Sequence, residues 1–489
     1  VSPDEVEPGD RVLLSTGDLI PFNGIAAEGS AQVDMSLFTG EETPVTVRAG
    51  GPVLCGEKIV RGPLTIEVSS PQEQSAAYRL YTVLTEDPSL TETEDLLNKW
   101  SVITLLAAFA AAIILGFLRF SPSLSSWLSP VLGAAILAVP CGNGAMAGFA
   151  VRACASRMLR AGILPGSPSL FDIAARIHTV ATGYTGVLTQ AQFHITNIVP
   201  AAGMPEEEVF RCAAAAEYGV PHPIASAIAD EYEQEQGKPI RELFDSPGES
   251  VSGYGARSVL EQRSIMVGSR RMMDDSEVEV PPNTTGQPSV YVLSRGNYIG
   301  VIETEDTWQP DAQQLVPNLH AAGIERTALV TGCDAEVGQA AQVFLGVDEV
   351  FSERSATKKE TLDQLCLHEG NVESLLYVGT MDELNLMNTR CLGIVMGTDP
   401  MGPPLSVAAA VIPSGSLRSL MDFIRLTRSM RTLLLCGLGV VLALKAAVLA
   451  AIIIWGISPL FSALVNAVGA VFLPVSLCVF LKESKKRTE

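Results

Sequence analysis

A chain of 489 residues with 54 acidic and 33 basic side chains carries a formal net charge of −21, which argues against nucleic acid as its main partner, since phosphate binding needs clustered cations. Nine scattered cysteines, with no CxxC pair and no metal-ligand spacing, exclude a disulfide framework and a zinc site and fit a reducing compartment. Hydrophobic residues make up 47% and charged residues 18%, sharply segregated: four stretches are almost free of charge and the rest reads as acidic soluble protein.

The chain opens at Val1 inside a soluble pattern, with neither initiator Met nor signal peptide, so an upstream part of a longer protein is expected. Residues 1–72 hold short β-rich runs broken by Gly and Pro (RVLLSTGDLIPFNG, AQVDMSLFTGEETPV, PLTIEV) and predict a small all-β domain. Residues 73–99 read as a linker or helix. Apolar runs at 100–118 and about 127–151 predict a transmembrane hairpin over 100–151, each run near the ~20 residues that cross a ~30 Å hydrocarbon core.

The insert that follows begins with a helix-to-strand pattern ending in TGYTGVLT (152–197) and passes through a mixed segment (198–298). It returns to strand–helix alternation over 299–430: YIGVIET, a helix near 309–322, TALVTG, LLYVGT and CLGIVMG, which predict a doubly wound parallel sheet. A second apolar hairpin spans 431–482, with runs at about 432–454 and 459–481, and a basic tail closes the chain at 483–489. Arg152, Arg157 and Arg160 follow the first hairpin, Arg425, Arg428 and Arg431 precede the second, and Lys482, Lys485, Lys486 and Arg487 follow it. The loops inside the hairpins carry only Arg119, so the positive-inside rule places 1–99, 152–430 and the tail in the cytoplasm.

Short motifs sit at telling places in this order. Thr39-Gly40-Glu41 lies in the first domain, after Gly17-Asp18-Leu19-Ile20-Pro21-Phe22-Asn23-Gly24. Val139-Pro140-Cys141 lies in the second membrane run, where Pro140 frees a backbone carbonyl and kinks a helix. The insert holds Gly183-Tyr184-Thr185-Gly186-Val187-Leu188-Thr189, His222-Pro223 with Glu217 upstream, Gly253-Tyr254-Gly255, Thr331-Gly332-Cys333 and Gly379-Thr380-Met381-Asp382-Glu383. Lys445 and Asn466 fall inside the last two apolar runs, and an ionisable residue there is a functional candidate by default.

In this order the set resembles the heavy-metal (zinc, cadmium, copper) transporting branch of the P-type ATPase superfamily over essentially the whole chain. The resemblance implies a multidomain membrane protein: α-helical transmembrane hairpins, a small all-β actuator domain, and an α/β haloacid-dehalogenase-like phosphorylation domain interrupted by an α+β nucleotide-binding domain. It implies the plasma (inner) membrane of a bacterium, a lipid environment, ATP as ligand and no nucleic acid. Glu217, His222, Pro223, Gly253 and Gly255 become the nucleotide-binding candidates. His222 has a second reading as a helix cap with Pro223 in the first turn. Pro140, Cys141, Lys445 and Asn466 become the transport path, with one thiol for Zn²⁺ or Cu⁺ where two would make a soft-metal site.

The chemistry the resemblance implies is incomplete in these residues. The family's DKTGTLT carries the aspartate that attacks the γ-phosphate, with Mg²⁺ neutralising the transferred group. Here Gly183 stands in its place, Tyr184 replaces the lysine, and only Thr185 and Gly186 persist. Cys333 follows Thr331 and Gly332 where an aspartate is expected, and Thr380 takes the place of another, leaving Asp382 or Glu383 as displaced survivors. Mg²⁺ is therefore not expected to bind in the family manner. Lys358 and Lys359 are candidates for a phosphate-binding lysine. Glu41, which in the family positions water against the aspartyl phosphate, is left without that substrate, and Asp306 stands near a family aspartate with Gln309 for the usual arginine. Three readings follow: a pseudo-enzyme that senses nucleotide, regulates or scaffolds an active pump or another protein; an active heavy-metal export ATPase with a divergent site; or slow direct hydrolysis without transport.

Overall fold

The computed structural model describes residues 6–39, 43–85, 143–167, 170–244, 246–251, 254–352, 358–368, 374–387, 391–397 and 407–455, with part of 99–136, residue 405, and 460–464, 467 and 468. They fall into two compact units, one of 1–176, 398–414 and 419–489, the other of 177–397 and 415–418.

The first unit begins with strands β1 (Arg11–Leu14), β2 (Gly24–Asp34), β3 (Val45–Arg48), β4 (Pro52–Val53), β5 (Lys58–Arg61) and β6 (Leu64–Val68). All pairings are antiparallel, in the order β1-β6-β2-β3, with β4 and β5 also on β2. The alternation that predicts these strands is a burial pattern: Leu14, Val33, Ile59, Leu64 and Ile66 close one core while their neighbours face out. Helix α1 (Ala76–Thr85) buries Leu80 and Val83. Helix α2 (Asn143–Arg160) buries Ala150, Val151, Cys154, Ala155 and Met158, a helical stripe, and leads to the short strand β7 (Leu164–Pro165).

The second unit opens with β8 (Thr179–Thr182), buried throughout. An antiparallel sheet of β9 (Thr189–Pro200), β10 (Glu249–Val251), β11 (Gly255–Leu260), β12 (Arg263–Gly268), β13 (Ser289–Ser294) and β14 (Asn297–Trp308) follows, in the order β10-β11-β12-β13-β14-β9. Helices α3 (Glu206–Glu217) and α4 (Pro223–Gln236) close its core through Val209, Phe210, Ile228 and Tyr232, where the Phe210 and Tyr232 rings meet edge to face at 5.1 Å. The expectation that YIGVIET belongs to the parallel sheet is corrected here: that segment lies in β14 and pairs antiparallel with both β13 and β9. Its apolar run is read equally well by either kind of sheet, and only the partners decide. β9 and β14 also extend past both ends of the expected 198–298 segment.

The chain then returns to a five-stranded parallel sheet, β16-β15-β8-β17-β18, with β15 (Arg326–Thr331), β16 (Glu349–Ser352), β17 (Leu375–Gly379) and β18 (Leu392–Met396). Helices α5 (Ala312–Ala321), α6 (Ala335–Leu345) and α7 (Lys358–His368) make the crossovers. β17 is buried at every residue, as a strand covered on both faces must be. In the first unit, β19 (Ala410–Ile412) pairs antiparallel with β7.

Helix α8 (Leu417–Trp455) is one continuous helix that starts well before the expected membrane boundary at 431. Its 39 residues measure about 58 Å at 1.5 Å each, against about 30 Å for a hydrocarbon core. The first part is amphipathic, burying Leu420, Phe423, Ile424 and Met430 while Thr427 folds its hydroxyl back to the Phe423 carbonyl. The part from Thr432 on is apolar. Among the described residues it is the one helix long and apolar enough to cross a membrane. Lys445 lies in that apolar part.

Candidate functional site

The parallel strands β8, β15 and β17 end at the same edge of their sheet, and in open α/β sheets ligands bind outside the carboxyl ends of the strands. Gly183 follows β8 directly, and its N–H donates to the Val378 carbonyl of β17 at 2.8 Å. The space beside it is already taken. A Cβ built on Gly183 would lie 3.1 Å from Glu383 Oε2, and one built on Gly379 would lie 2.5 Å from the same oxygen. Two glycines thus make room for one carboxylate.

That carboxylate is fully engaged. Lys358 Nζ donates to Glu383 Oε1 at 2.6 Å, the Tyr377 hydroxyl donates to Oε2 at 2.8 Å, and the Thr380 N–H approaches Oε2 at 3.4 Å. The Lys358 and Glu383 side chains are only 26% and 13% exposed, so the pair is shielded from screening solvent. Thr380 and Glu383 form a reciprocal capping box at the turn after β17. Tyr377 is wholly buried, and desolvation, with Glu383 next, holds its phenol well above its ordinary pKa and therefore protonated as a donor. Of the two candidate survivors, Glu383 faces Gly183 and Asp382 is exposed.

The other residues of these motifs are apolar or hydrogen-bonded locally. Tyr184 is buried with its ring edge-on to Trp308 at 5.5 Å, and Trp308 stacks on Phe344 at 4.5 Å. Thr185 is half-buried, and Gly186, at φ 73°, donates its N–H to Thr189 Oγ1 at 3.2 Å. The Thr331 hydroxyl accepts the Cys333 N–H at 3.0 Å across Gly332. Asp306 is buried in β14 and accepts the Gln192 N–H at 3.0 Å, and burial raises its carboxyl pKa. No group of three or more His, Cys, Asp or Glu side chains able to hold a metal occurs among the described residues.

At the antiparallel sheet, His222 is the N-cap of α4, its Nδ1 accepting the Ile224 N–H at 3.2 Å with Pro223 at the first turn. His222 therefore caps α4, which is the second of its two sequence readings. Glu217 ends α3 only 5% exposed, and burial lifts its pKa to about 7. Gly255 has a packing reason to be glycine: a Cβ there would overlap the Val267 carbonyl oxygen of β12. Gly255→Ala is expected to cost about 2–3 kcal/mol by forcing β11 off β12, read as lost amide protection across that hairpin. Gly40, Glu41, Pro140, Cys141, Gly253 and Asn466 lie outside the described residues.

Comparison with known proteins fits this layout. Residues 1–85 match the family model of the P-type ATPase actuator domain. The chain is 26% identical over 490 residues to a cadmium, zinc and cobalt-transporting ATPase of Bacillus subtilis, covering 97% of this chain and 68% of that protein. It is 26% identical over 482 residues to a zinc-transporting ATPase of Synechocystis, covering 97% of this chain and 66% of that protein. The chain is a relative of the heavy-metal-transporting P-type ATPases. It spans about two thirds of the length of those two proteins. The crystal structure of a zinc-transporting PIB-type ATPase in the E2.Pi state shares its fold, with a TM-score of 0.57 and 24% identity over 98% of this chain and 80% of that one.

For a P-type ATPase relative, the motif reading found the strand ends and missed what fills them. Lys358, a candidate phosphate-binding lysine by sequence, holds Glu383 in the fold, and the sequence does not single out Tyr377, Trp308 or Phe344. One signal was available: Thr380-Met381-Asp382-Glu383 has the capping-box spacing, which turns Glu383 back toward the end of β17.

Proposed function

We propose that this chain is a membrane-embedded relative of heavy-metal pumps that forms no aspartyl phosphate and serves as a nucleotide-sensing, regulatory or scaffolding protein. The observation that carries this reading is the occupied acceptor position: Gly183 offers no side chain, and the Glu383 carboxylate, paired with Lys358, stands 3.1 Å from where its Cβ would be. The donor set does not fit Mg²⁺, because Cys333 offers a thiol, Thr380 a capping hydroxyl, and Glu383 is spent on Lys358 and Tyr377. ATP remains a fitting ligand of the antiparallel-sheet domain, which needs no metal carboxylates to hold adenine. In this reading β1–β6 form an actuator, the parallel sheet β16-β15-β8-β17-β18 forms a haloacid-dehalogenase-like domain, and 100–151 and 431–482 are membrane hairpins with the soluble parts in the cytoplasm.

The test is incubation of the detergent-purified protein with γ-³²P-ATP, Mg²⁺ and each of Zn²⁺, Cd²⁺ and Cu⁺. No acid-stable label is expected. A hydroxylamine-sensitive label would instead establish the second reading, an ATP-driven Zn²⁺, Cd²⁺ or Cu⁺ exporter, which the likeness to metal-transporting ATPases along 97% of the chain favours. ATP binding is read in parallel with His222→Asn, which keeps a capping side chain but removes the imidazole. Weaker binding in His222→Asn assigns the ring to nucleotide; unchanged binding leaves His222 a cap.

A further inference from the structure

Resting on the non-phosphorylating reading, we infer that the Glu383 carboxylate is an internal anion that occupies a tetrahedral-oxyanion site at the ends of β8 and β17 and holds it closed to phosphate. The donors around it are those an oxyanion takes: one ammonium at 2.6 Å, one hydroxyl at 2.8 Å and one backbone N–H at 3.4 Å. The cradle leaves room for an anionic oxygen, because a Cβ on Gly379 or Gly183 would meet Glu383 Oε2 at 2.5 or 3.1 Å. Lys358 and Glu383 neutralise one another while paired. Without the carboxylate, the same donors present a shielded cation, a neutral phenol and an amide to solvent.

Glu383 is tethered four residues past the strand end through its capping box with Thr380, so it competes intramolecularly at high effective concentration. Free phosphate must displace it, and at millimolar concentration it does not. The site is thereby held in a ligand-filled state with no phosphoryl group present. Any event that draws Lys358 or Glu383 away opens it.

The experiment titrates inorganic phosphate into the full-length protein in detergent, followed by calorimetry and by ³¹P line broadening. The expected result is no saturable binding up to several millimolar in the wild type. Glu383→Gln should bind at least tenfold more tightly, and Lys358→Met in that background should remove the gain. Wild-type binding as tight as that of Glu383→Gln, or no gain in that variant, overturns the inference. Should Glu383→Gln fail to fold, Thr380→Ala reads the same competition, because it removes the hydroxyl half of the capping box that tethers Glu383 and leaves all three donors in place. A gain of a few fold there supports the inference and no gain overturns it. An aspartyl-phosphate label on the wild type would sink the proposed function by itself. An unlabelled wild type with no gain in either variant sinks only the internal anion.

Discussion

Gly183→Asp, which puts the acceptor residue of the family's motif after β8, is expected to give no phosphoenzyme and to destabilise the unit of 177–397, read as lost amide protection in β8 and β17. The new Cβ would lie 3.1 Å from Glu383 Oε2 before any carboxylate is added. Two carboxylates near 4 Å repel by about 4 kcal/mol at an effective dielectric near 20, and Lys358 can neutralise only one of them. Allowing for side-chain relaxation, a loss of about 2–3 kcal/mol is expected in that unit. Glu383→Gln in the same chain should return most of it, giving a coupling of about 2 kcal/mol in a double-mutant cycle. A label on Gly183→Asp, or coupling near zero, would mean that Glu383 does not occupy the acceptor position. The prediction separates two ideas that sequence alone merges: a missing nucleophile, and a site rebuilt around its absence.

What the sequence disclosed followed from local pattern. β8, β15, β17 and β18 were legible because a strand covered on both faces is a continuous apolar run, and the Gly-rich strings after three of them mark where such a sheet binds ligands. The helix-cap alternative for His222 was legible for a similar reason, since Pro at the first turn and a polar residue before it are a local signature. β14 was misplaced because partner choice is not local: its apolar stretch Gly300–Ile302 pairs with β13 on one side and β9 on the other, both antiparallel. The carboxylate at Gly183 was missed for the same cause, as Lys358 and Glu383 stand 25 residues apart and meet only when α7 and β17 are folded. Gly379 read as a motif letter, whereas in the fold its lack of a Cβ is what admits Glu383. The aromatic stack of Tyr184, Trp308 and Phe344 joins three separate elements, and no spacing announces it. The early start of α8 at Leu417 was hidden by a change of composition inside one helix, amphipathic below Arg431 and apolar above, which hydropathy reads as a boundary.

Glu57→Gln is expected to stabilise the β1–β6 domain at neutral and alkaline pH and to leave it almost unchanged near pH 4. Glu57 is only 1% exposed, its Oε2 accepts the Leu54 N–H at 3.0 Å, and its Oε1 meets no hydrogen-bond partner among the described residues. Burial pushes its pKa up to about 7, with the Leu54 hydrogen bond opposing and Asp34 adding to the rise. An unfolded glutamate titrates near about 4.3, so the folded state binds the proton more tightly, and stability falls as pH rises between about 4 and 7. At 1.36 kcal/mol per unit the loss is about 3 kcal/mol, complete above pH 7. The Gln amide keeps an acceptor for Leu54 and carries no charge to desolvate. Its domain should therefore hold a flat stability across that window, a gain of about 2–3 kcal/mol at pH 8. Because the chain has more than one unit, a single melting curve is the wrong probe. Amide exchange in β5 and β6 isolates the effect, while β11 and β12, near the similarly raised Glu217, serve as the internal reference whose slope Glu57→Gln leaves in place. Equal slopes in β5 and β6 before and after the substitution would place the titrating group elsewhere, and a loss of protection at pH 8 would mean that the carboxylate is held by a bond worth more than its desolvation.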